Sequence, residues 1–211
     1  MFAFLDDAVS QCAERVQRLG GSVIRYRKDP PANADQIARV DRRFGGCTPP
    51  ELLQLGLFAN SFEFLWRIDR SNEPEVAGIS LPFGQFAWEF SSLRPLNPRD
   101  YWWAEEIVAG EREGVWHQKT IIDCAADGDF LAYTIDPALP HVPVYCAKDG
   151  CGPSELILGR SLAEFFREWA RIGFLSINEF YEWPRRTGLQ TFDVTYFHAF
   201  EALLGTETRV A

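Results

Sequence analysis

Two neighbouring segments of the chain read Lys119-Thr-Ile-Ile-Asp-Cys-Ala125 and Asp129-Phe-Leu-Ala-Tyr-Thr-Ile135. Both are rich in β-branched and aromatic residues and have the length of a strand. Asp127-Gly128 between them suits a tight hairpin, because both central positions of a type I′ turn need positive φ. Val142-Pro-Val-Tyr-Cys146 follows as a third strand, and Pro143 suits a strand start or a sheet edge. We therefore predict an antiparallel meander at the centre of the fold.

Helices are predicted on both sides of this meander. Apolar residues recur at steps of three and four from Phe2 to Leu19, which indicates a helix with one buried face. Ser161-Leu-Ala-Glu164 is a capping box, and the apolar residues after it predict a helix that ends at Gly173. The segment from Phe62 to Ile68 alternates as a strand with an aromatic face. Helices grouped before and after a run of strands indicate an α+β fold with an antiparallel-rich sheet.

Two more helices begin at cap signals. Asn33 stands three residues before Gln36, which is the spacing of a capping pair. Thr48-Pro-Pro-Glu51 predicts a helix that Thr48 caps, with Glu51 reaching back to the cap residue.

Composition limits the class of protein. The chain has 211 residues, seven Trp and 17 Phe, enough for a substantial core, and a net charge of −9. This charge argues against direct nucleic-acid binding and suits a basic protein partner, although acidic isoelectric points are common. Acids near the N-terminus and the lack of a long apolar run predict neither a signal peptide nor a membrane span. Five cysteines, an odd number, favour reduced thiols, so we expect a cytoplasmic protein.

Candidate chemical motifs are weak. Cys146 and Cys151, with His141 upstream, lack the spacing of a zinc site. Cys124 and His117 could form a nucleophile and base, but a cysteine within an apolar strand is more often a core residue. Asp127-Gly-Asp129 is better explained as a turn than as a cation site. We therefore predict no catalytic residue, no metal and no cofactor, and expect that the protein is not an enzyme.

Charged residues that alternate with core residues indicate an open sheet face. Glu63, Arg67, Asp123 and Asp127 occupy such positions on predicted strands. Two adjacent tryptophans on one helix cannot both point fully into one core, so one of them is a candidate contact residue. The predicted partner-binding residues are Glu63, Arg67, Trp102, Trp103, Asp123, Asp127 and Asp129.

The order of several motifs resembles the SUKH superfamily. These motifs are Ile37-x-x-Val-Asp-Arg-Arg-Phe-Gly-Gly46, Thr48-Pro-Pro-Glu-Leu-Leu-Gln-Leu55, Asn60 before an aromatic strand, Asp127-Gly-Asp-Phe-Leu-Ala132, Pro143-Val-Tyr145 and Leu162-Ala-Glu-Phe-Phe-Arg-Glu-Trp169. The resemblance implies a SUKH-like domain over residues 33–173. Residues 1–32 would then be a helix-strand extension, and residues 174–211 a helical extension packed on the domain.

The resemblance also implies a function. Many bacterial SUKH proteins are immunity proteins that bind and neutralise toxin domains, often nucleases, and fungal relatives are regulatory proteins. We therefore expect a non-catalytic binding protein, with a cognate toxin domain as its partner and no direct contact with nucleic acid or membrane. A cellular regulatory or scaffold protein is the alternative. The sequence leaves the oligomeric state open.

Overall fold

The structure, a computed structural model, describes residues 1–69, 75–76, 79–80, 83–97, 118–124, 130–146 and 155–177. Four helices lie in these ranges: α1 (Phe4–Arg18), α2 (Ala34–Arg43), α3 (Pro50–Phe58) and α4 (Leu162–Arg171). The strands are β1 (Gly21–Lys28), β2 (Ser61–Ile68), β3 (Glu75–Val76), β4 (Ile79–Ser80), β5 (Phe83–Glu89), β6 (Lys119–Cys124), β7 (Phe130–Thr134), β8 (Pro143–Cys146) and β9 (Glu155–Ile157).

The strands form antiparallel sheets. The first sheet has the order β1-β2-β5, the second has the order β6-β7-β8-β9, and β3 pairs with β4. Each strand of the second sheet pairs with the next one along the chain, so the predicted meander and the α+β class are confirmed. Pro143 is the first residue of β8, where its missing N–H is tolerated. Asp127-Gly128 lies outside the described residues, between the paired strands β6 and β7.

The core lies behind the first sheet. The inward side chains of β2 are all buried, as the alternation of the sequence predicts: Phe62, Phe64, Trp66 and Ile68. Neighbouring rings from β5 and α4 complete an aromatic cluster, in which Phe62 stacks on Trp88 at 4.7 Å and Phe86 stacks on Phe174 at 5.1 Å. Burial of such a side chain contributes about 2 kcal/mol, so this cluster holds the inner face of the sheet rigidly.

The first and last described helices pack on this inner face. In α1 the predicted stripe is buried from Phe2 to Val16, and α1 contacts β1, β2 and α4. The predicted face of α4 is buried as well, from Leu162 to Ile172, and the Ser161 hydroxyl accepts a hydrogen bond from the Glu164 N–H. Residues 1–32, predicted to be an extension, therefore contribute β1 to the first sheet and α1 to the shared core.

Of the three cap predictions, the one at α2 is confirmed, the one at α4 is confirmed for the Ser161 side chain, and the one at α3 is wrong. In α4 the Glu164 carboxylate accepts from the Arg160 N–H and not from the Ser161 N–H. Asn33 and Gln36 form a reciprocal capping box at the start of α2. At α3, however, Pro49 is the cap residue, and no side chain caps the helix. The Thr48 hydroxyl donates to the Asp41 carboxylate instead, at 2.8 Å. The Glu51 carboxylate does not reach back to the start of α3. It accepts hydrogen bonds from donors in β7 and α4.

The chain that follows α4 is held by two indole hydrogen bonds, one from the first sheet and one from α4. Trp66 Nε1 donates to the Gly173 carbonyl at 2.8 Å, and Trp169 Nε1 donates to the Leu175 carbonyl at 2.7 Å. An isolated antiparallel bridge joins Gly84 of β5 to Leu175. The start of the predicted C-terminal extension is thereby fixed to the sheet; residues 178–211 lie outside the described ranges.

Candidate functional site

The outer face of the first sheet carries two of the predicted contact residues. Side chains of a strand alternate between faces, so Glu63, Leu65 and Arg67 of β2 point away from the aromatic core. Arg67 is exposed and Glu63 is partly exposed. Both side chains therefore reach solvent from the face opposite the aromatic core, and their role as contact residues stays a prediction.

Two arginines of β1 share this face. Arg25 Nη1 forms an ion pair with Glu63 at 3.1 Å, across the β1-β2 ladder. Arg27 bonds Asp29 through two parallel contacts, from Nε at 2.9 Å and from Nη2 at 2.5 Å. The Ser61 hydroxyl also donates to Asp29, at 2.7 Å. Hydrogen bonds from Arg27, and secondarily from Ser61, hold the pKa of Asp29 below its ordinary value.

The sequence prediction missed these arginines. Arg25 and Arg27 are spaced by two in β1, which is the strand of the helix-strand extension predicted for residues 1–32. The same alternation that located Glu63 and Arg67 would therefore have placed both arginines on one face. The sequence did not show which strand pairs with β1 across the sheet.

Asp123 is buried, so its predicted position on the open face is wrong. Its side chain is at the free edge of β5, where one carboxylate oxygen accepts from the Ala87 N–H at 3.1 Å and the other from the Cys124 N–H at 2.8 Å. The residue is only 7% exposed. A register shift between Ile121 and Asp123 reverses the alternation of β6 and turns this side chain inward. Asp123 therefore links the two sheets instead of presenting a charge to a partner.

Burial changes the acidity of this carboxyl group. Loss of hydration raises the pKa of Asp123 to about 7, against the opposing effect of the two backbone N–H donors, and the nearby charge of Glu63 raises it further. The folded protein therefore holds a proton on Asp123 over a pH range in which the unfolded chain has lost it.

This proton predicts a pH-dependent stability. The favourable contribution of neutral Asp123 is complete below the ordinary carboxyl pKa of 3.8 and is lost as the pH rises towards 7. We expect the free energy of unfolding of the native chain to fall by about 2 kcal/mol between about pH 5 and pH 7, relative to Asp123→Asn. Urea unfolding of both proteins at each pH measures this difference. Asparagine loses one acceptor at every pH but does not titrate, so parallel pH profiles would contradict the assignment.

The remaining predicted contact residues lie outside the described ranges: Trp102, Trp103, Asp127 and Asp129. Much of the negative charge of the chain also belongs to residues outside these ranges. The described residues hold 16 acidic and 14 basic side chains, so seven of the nine net negative charges belong to the rest of the chain. The described part of the chain is accordingly close to charge balance.

Within the described ranges, no group of three His, Cys, Asp or Glu side chains is placed to hold a metal ion. Cys12, Cys47, Cys124 and Cys146 form no disulfide. No helix in the part of the chain that the structure describes has the length and apolar character needed to cross a membrane.

Comparison of the chain with models of protein families, with characterised proteins and with solved structures finds no match. The SUKH resemblance therefore remains a hypothesis that depends on the order of the sequence motifs.

Proposed function

We propose that this protein is a non-catalytic binding protein, specifically a SUKH-type immunity protein that binds and neutralises a bacterial toxin domain. The observation that carries the proposal is the partly exposed outer face of the first sheet. Its charged side chains stand on a strand whose other face is locked into an aromatic core. A surface that is already rigid loses little conformational entropy when it binds a partner.

The composition of this face suits a protein partner. On this face Leu65 lies between Arg25 and Gln85, Glu63 lies beside Ala87, and Arg67 lies beside Phe83. Apolar and charged side chains are therefore interspersed, as they are on protein surfaces that bind other proteins. The register places these residues on three adjacent strands, so one flat partner surface can reach them together.

The net charge of −9 supports the same function in a different way. An acidic protein attracts a basic partner over a distance of about one Debye length, near 8 Å at physiological salt. Toxin domains that bind nucleic acid need basic grooves, because phosphates reward clustered Lys and Arg. In this proposal the charge of the whole chain accelerates association, and the sheet face supplies the contacts.

The proposal expects a toxin gene beside the gene of this protein, and the direct test is binding to the domain that such a gene encodes. We expect the native chain to bind the purified toxin domain and to protect cells that express it. The double variant Glu63→Arg with Arg67→Glu keeps the net charge but reverses the pattern of the face, and we expect at least a tenfold rise in Kd. Isothermal titration calorimetry measures the Kd, and growth after toxin induction measures protection.

A matched control separates the face from general surface charge. Asp35→Arg with Arg39→Glu makes the same exchange on the exposed side of α2, and we expect an unchanged Kd. Absence of binding and protection by the native chain would contradict the immunity function. A growth defect of the deletion strain without any toxin would support the regulatory alternative instead.

A further inference from the structure

The strand β1 is an edge of the first sheet. Its one partner in the described structure is β2, and six of its eight residues are exposed. Ile24 is 48% exposed and Tyr26 is 50% exposed, which is high for large apolar side chains. An exposed edge is where another chain can add a strand through backbone hydrogen bonds.

The hydrogen-bond pattern shows which residues of β1 face outward. The Asp29 N–H donates to the Ser61 carbonyl at 2.9 Å, so these opposed residues form a hydrogen-bonded pair. Hydrogen-bonded and non-bonded pairs alternate in an antiparallel ladder, so the backbone groups of Tyr26 and Lys28 point away from β2. The opposite edge of the sheet shows the same alternation. The Ala87 N–H of β5 donates to Asp123, so it points away from β2.

The side chains of β1 give this edge a chemical preference. Register with Leu65 and Glu63 places Arg25 and Arg27 on the outer face of the sheet, and both are strongly exposed. Between them Tyr26 lies on the inner face, with its ring against Phe62 and Phe64. The strand contains three basic residues and no acidic one. Each arginine is ion-paired within the sheet region, Arg25 with Glu63 and Arg27 with Asp29, yet their side chains stay 63% and 60% exposed. An added strand would therefore meet a guanidinium group, an aromatic ring and a second guanidinium group at successive positions.

We propose that the edge of β1 binds an extended peptide segment of a partner protein as a fourth strand, with acidic side chains at two alternate positions and an apolar side chain between them. The backbone groups of Tyr26 and Lys28 bond the added strand. The two acids lie beside Arg25 and Arg27, and the apolar residue packs on the exposed ring of Tyr26.

A second copy of this chain fits the edge poorly. Two β1 strands in contact would bring Arg25, Arg27 and Lys28 against the same residues of the other copy, and like charges on adjacent strands are destabilising. The register also shifts between Val23 and Arg25, and such bulges discourage edge-to-edge association. These features disfavour self-association while leaving the regular segment 25–28 available to an acidic peptide.

The experiment uses the full-length protein and a terminally blocked peptide of alternating glutamate and valine. Matched peptides carry lysine in place of glutamate, or N-methyl groups on the amides that would pair with the edge. We expect the glutamate peptide to bind, with at least a tenfold higher Kd for each matched peptide. Fluorescence anisotropy of labelled peptides measures the Kd, and no toxin is present, so the result is independent of the proposed immunity function.

Two pairs of variants locate the binding. Tyr26→Pro removes both the ring and the outward N–H, whereas Tyr26→Ala removes only the ring. We therefore expect the proline variant to bind the glutamate peptide at least threefold more weakly than the alanine variant. Arg25→Ala with Arg27→Ala should raise the Kd about tenfold. Arg39→Ala with Arg42→Ala, the same charge change at exposed positions of α2, should leave it unchanged. Thermal unfolding shows whether each variant folds, and the N-methyl peptides test the edge in the native protein if Tyr26→Pro does not.

Three results would overturn the proposal. One is equal affinity for the glutamate and lysine peptides. Another is the absence of binding by the native chain at millimolar peptide. The third is a concentration-dependent dimer, measured by sedimentation velocity, that Tyr26→Pro disrupts, because a second copy would then be the occupant of the edge.

Discussion

Replacing Gly84 with alanine is expected to lower the free energy of unfolding by about 4 kcal/mol. Gly84 lies in β5 directly opposite Trp66 of β2, and an isolated bridge joins it to Leu175 in the chain after α4. A Cβ atom at this position would overlap the Nε1 and Cε2 atoms of Trp66 and would lie 2.6 Å from the Phe174 carbonyl oxygen. The indole cannot move without weakening its hydrogen bond to Gly173. The substitution therefore adds steric overlap and disturbs a buried donor.

Urea unfolding followed by tryptophan fluorescence measures this loss. Gly45→Ala is the control, because Gly45 has a φ of +65° but no atom within 4 Å of an added Cβ. Strain alone should cost the control about 1 kcal/mol. Equal losses for the two variants would mean that the contact with Trp66 does not limit the space at Gly84.

The local pattern of the sequence predicts strands and helix faces, but not the contacts between distant segments. The aromatic face of β2 follows from a spacing of two, and the buried face of α4 from steps of three and four. Nothing near Gly84 in the sequence indicates that Trp66 and Phe174 close over it. Such a requirement depends on how the sheet and the segment after α4 pack together, which a local pattern does not contain.

In the candidate site, too, local patterns are predicted by the sequence, whereas features that depend on pairing with another strand are not. Glu63 and Arg67 lie on the outer face because β2 alternates regularly through its whole length. Asp123 was assigned to an open face by the same reasoning, but the register shift in β6 reverses the alternation before this residue. A bulge of one residue moves every following side chain to the other face. Its position is set by the pairing of β6 with β7, so the sequence of β6 alone could not show it.

Glu51 links three elements, and its replacement by alanine is expected to cost about 3 kcal/mol. The Glu51 carboxylate accepts from the Tyr133 hydroxyl of β7 at 2.8 Å and from the Leu162 N–H at 2.9 Å. The Ala163 N–H reaches the other oxygen at 3.4 Å. Glu51 therefore caps the first turn of α4 from a distant part of the chain, where a negative charge is favoured by the helix dipole.

The environment of Tyr133 explains the size of this effect. Tyr133 is buried, and burial, followed by its bond to Glu51, raises the pKa of its hydroxyl. In Glu51→Ala the hydroxyl and two N–H groups of α4 lose their acceptor together, and a buried donor without a partner costs about 1–3 kcal/mol.

Glu51→Gln is the matched control, because its amide oxygen keeps one acceptor while the charge is removed, so we expect a loss of about 1 kcal/mol. The free energies of both variants come from urea unfolding at pH 7. A double-mutant cycle with Tyr133→Phe isolates the hydroxyl bond, and we expect a coupling of about 1 kcal/mol. Additive losses in this cycle, or equal losses for alanine and glutamine, would contradict a cap that joins α3, β7 and α4 through one carboxylate.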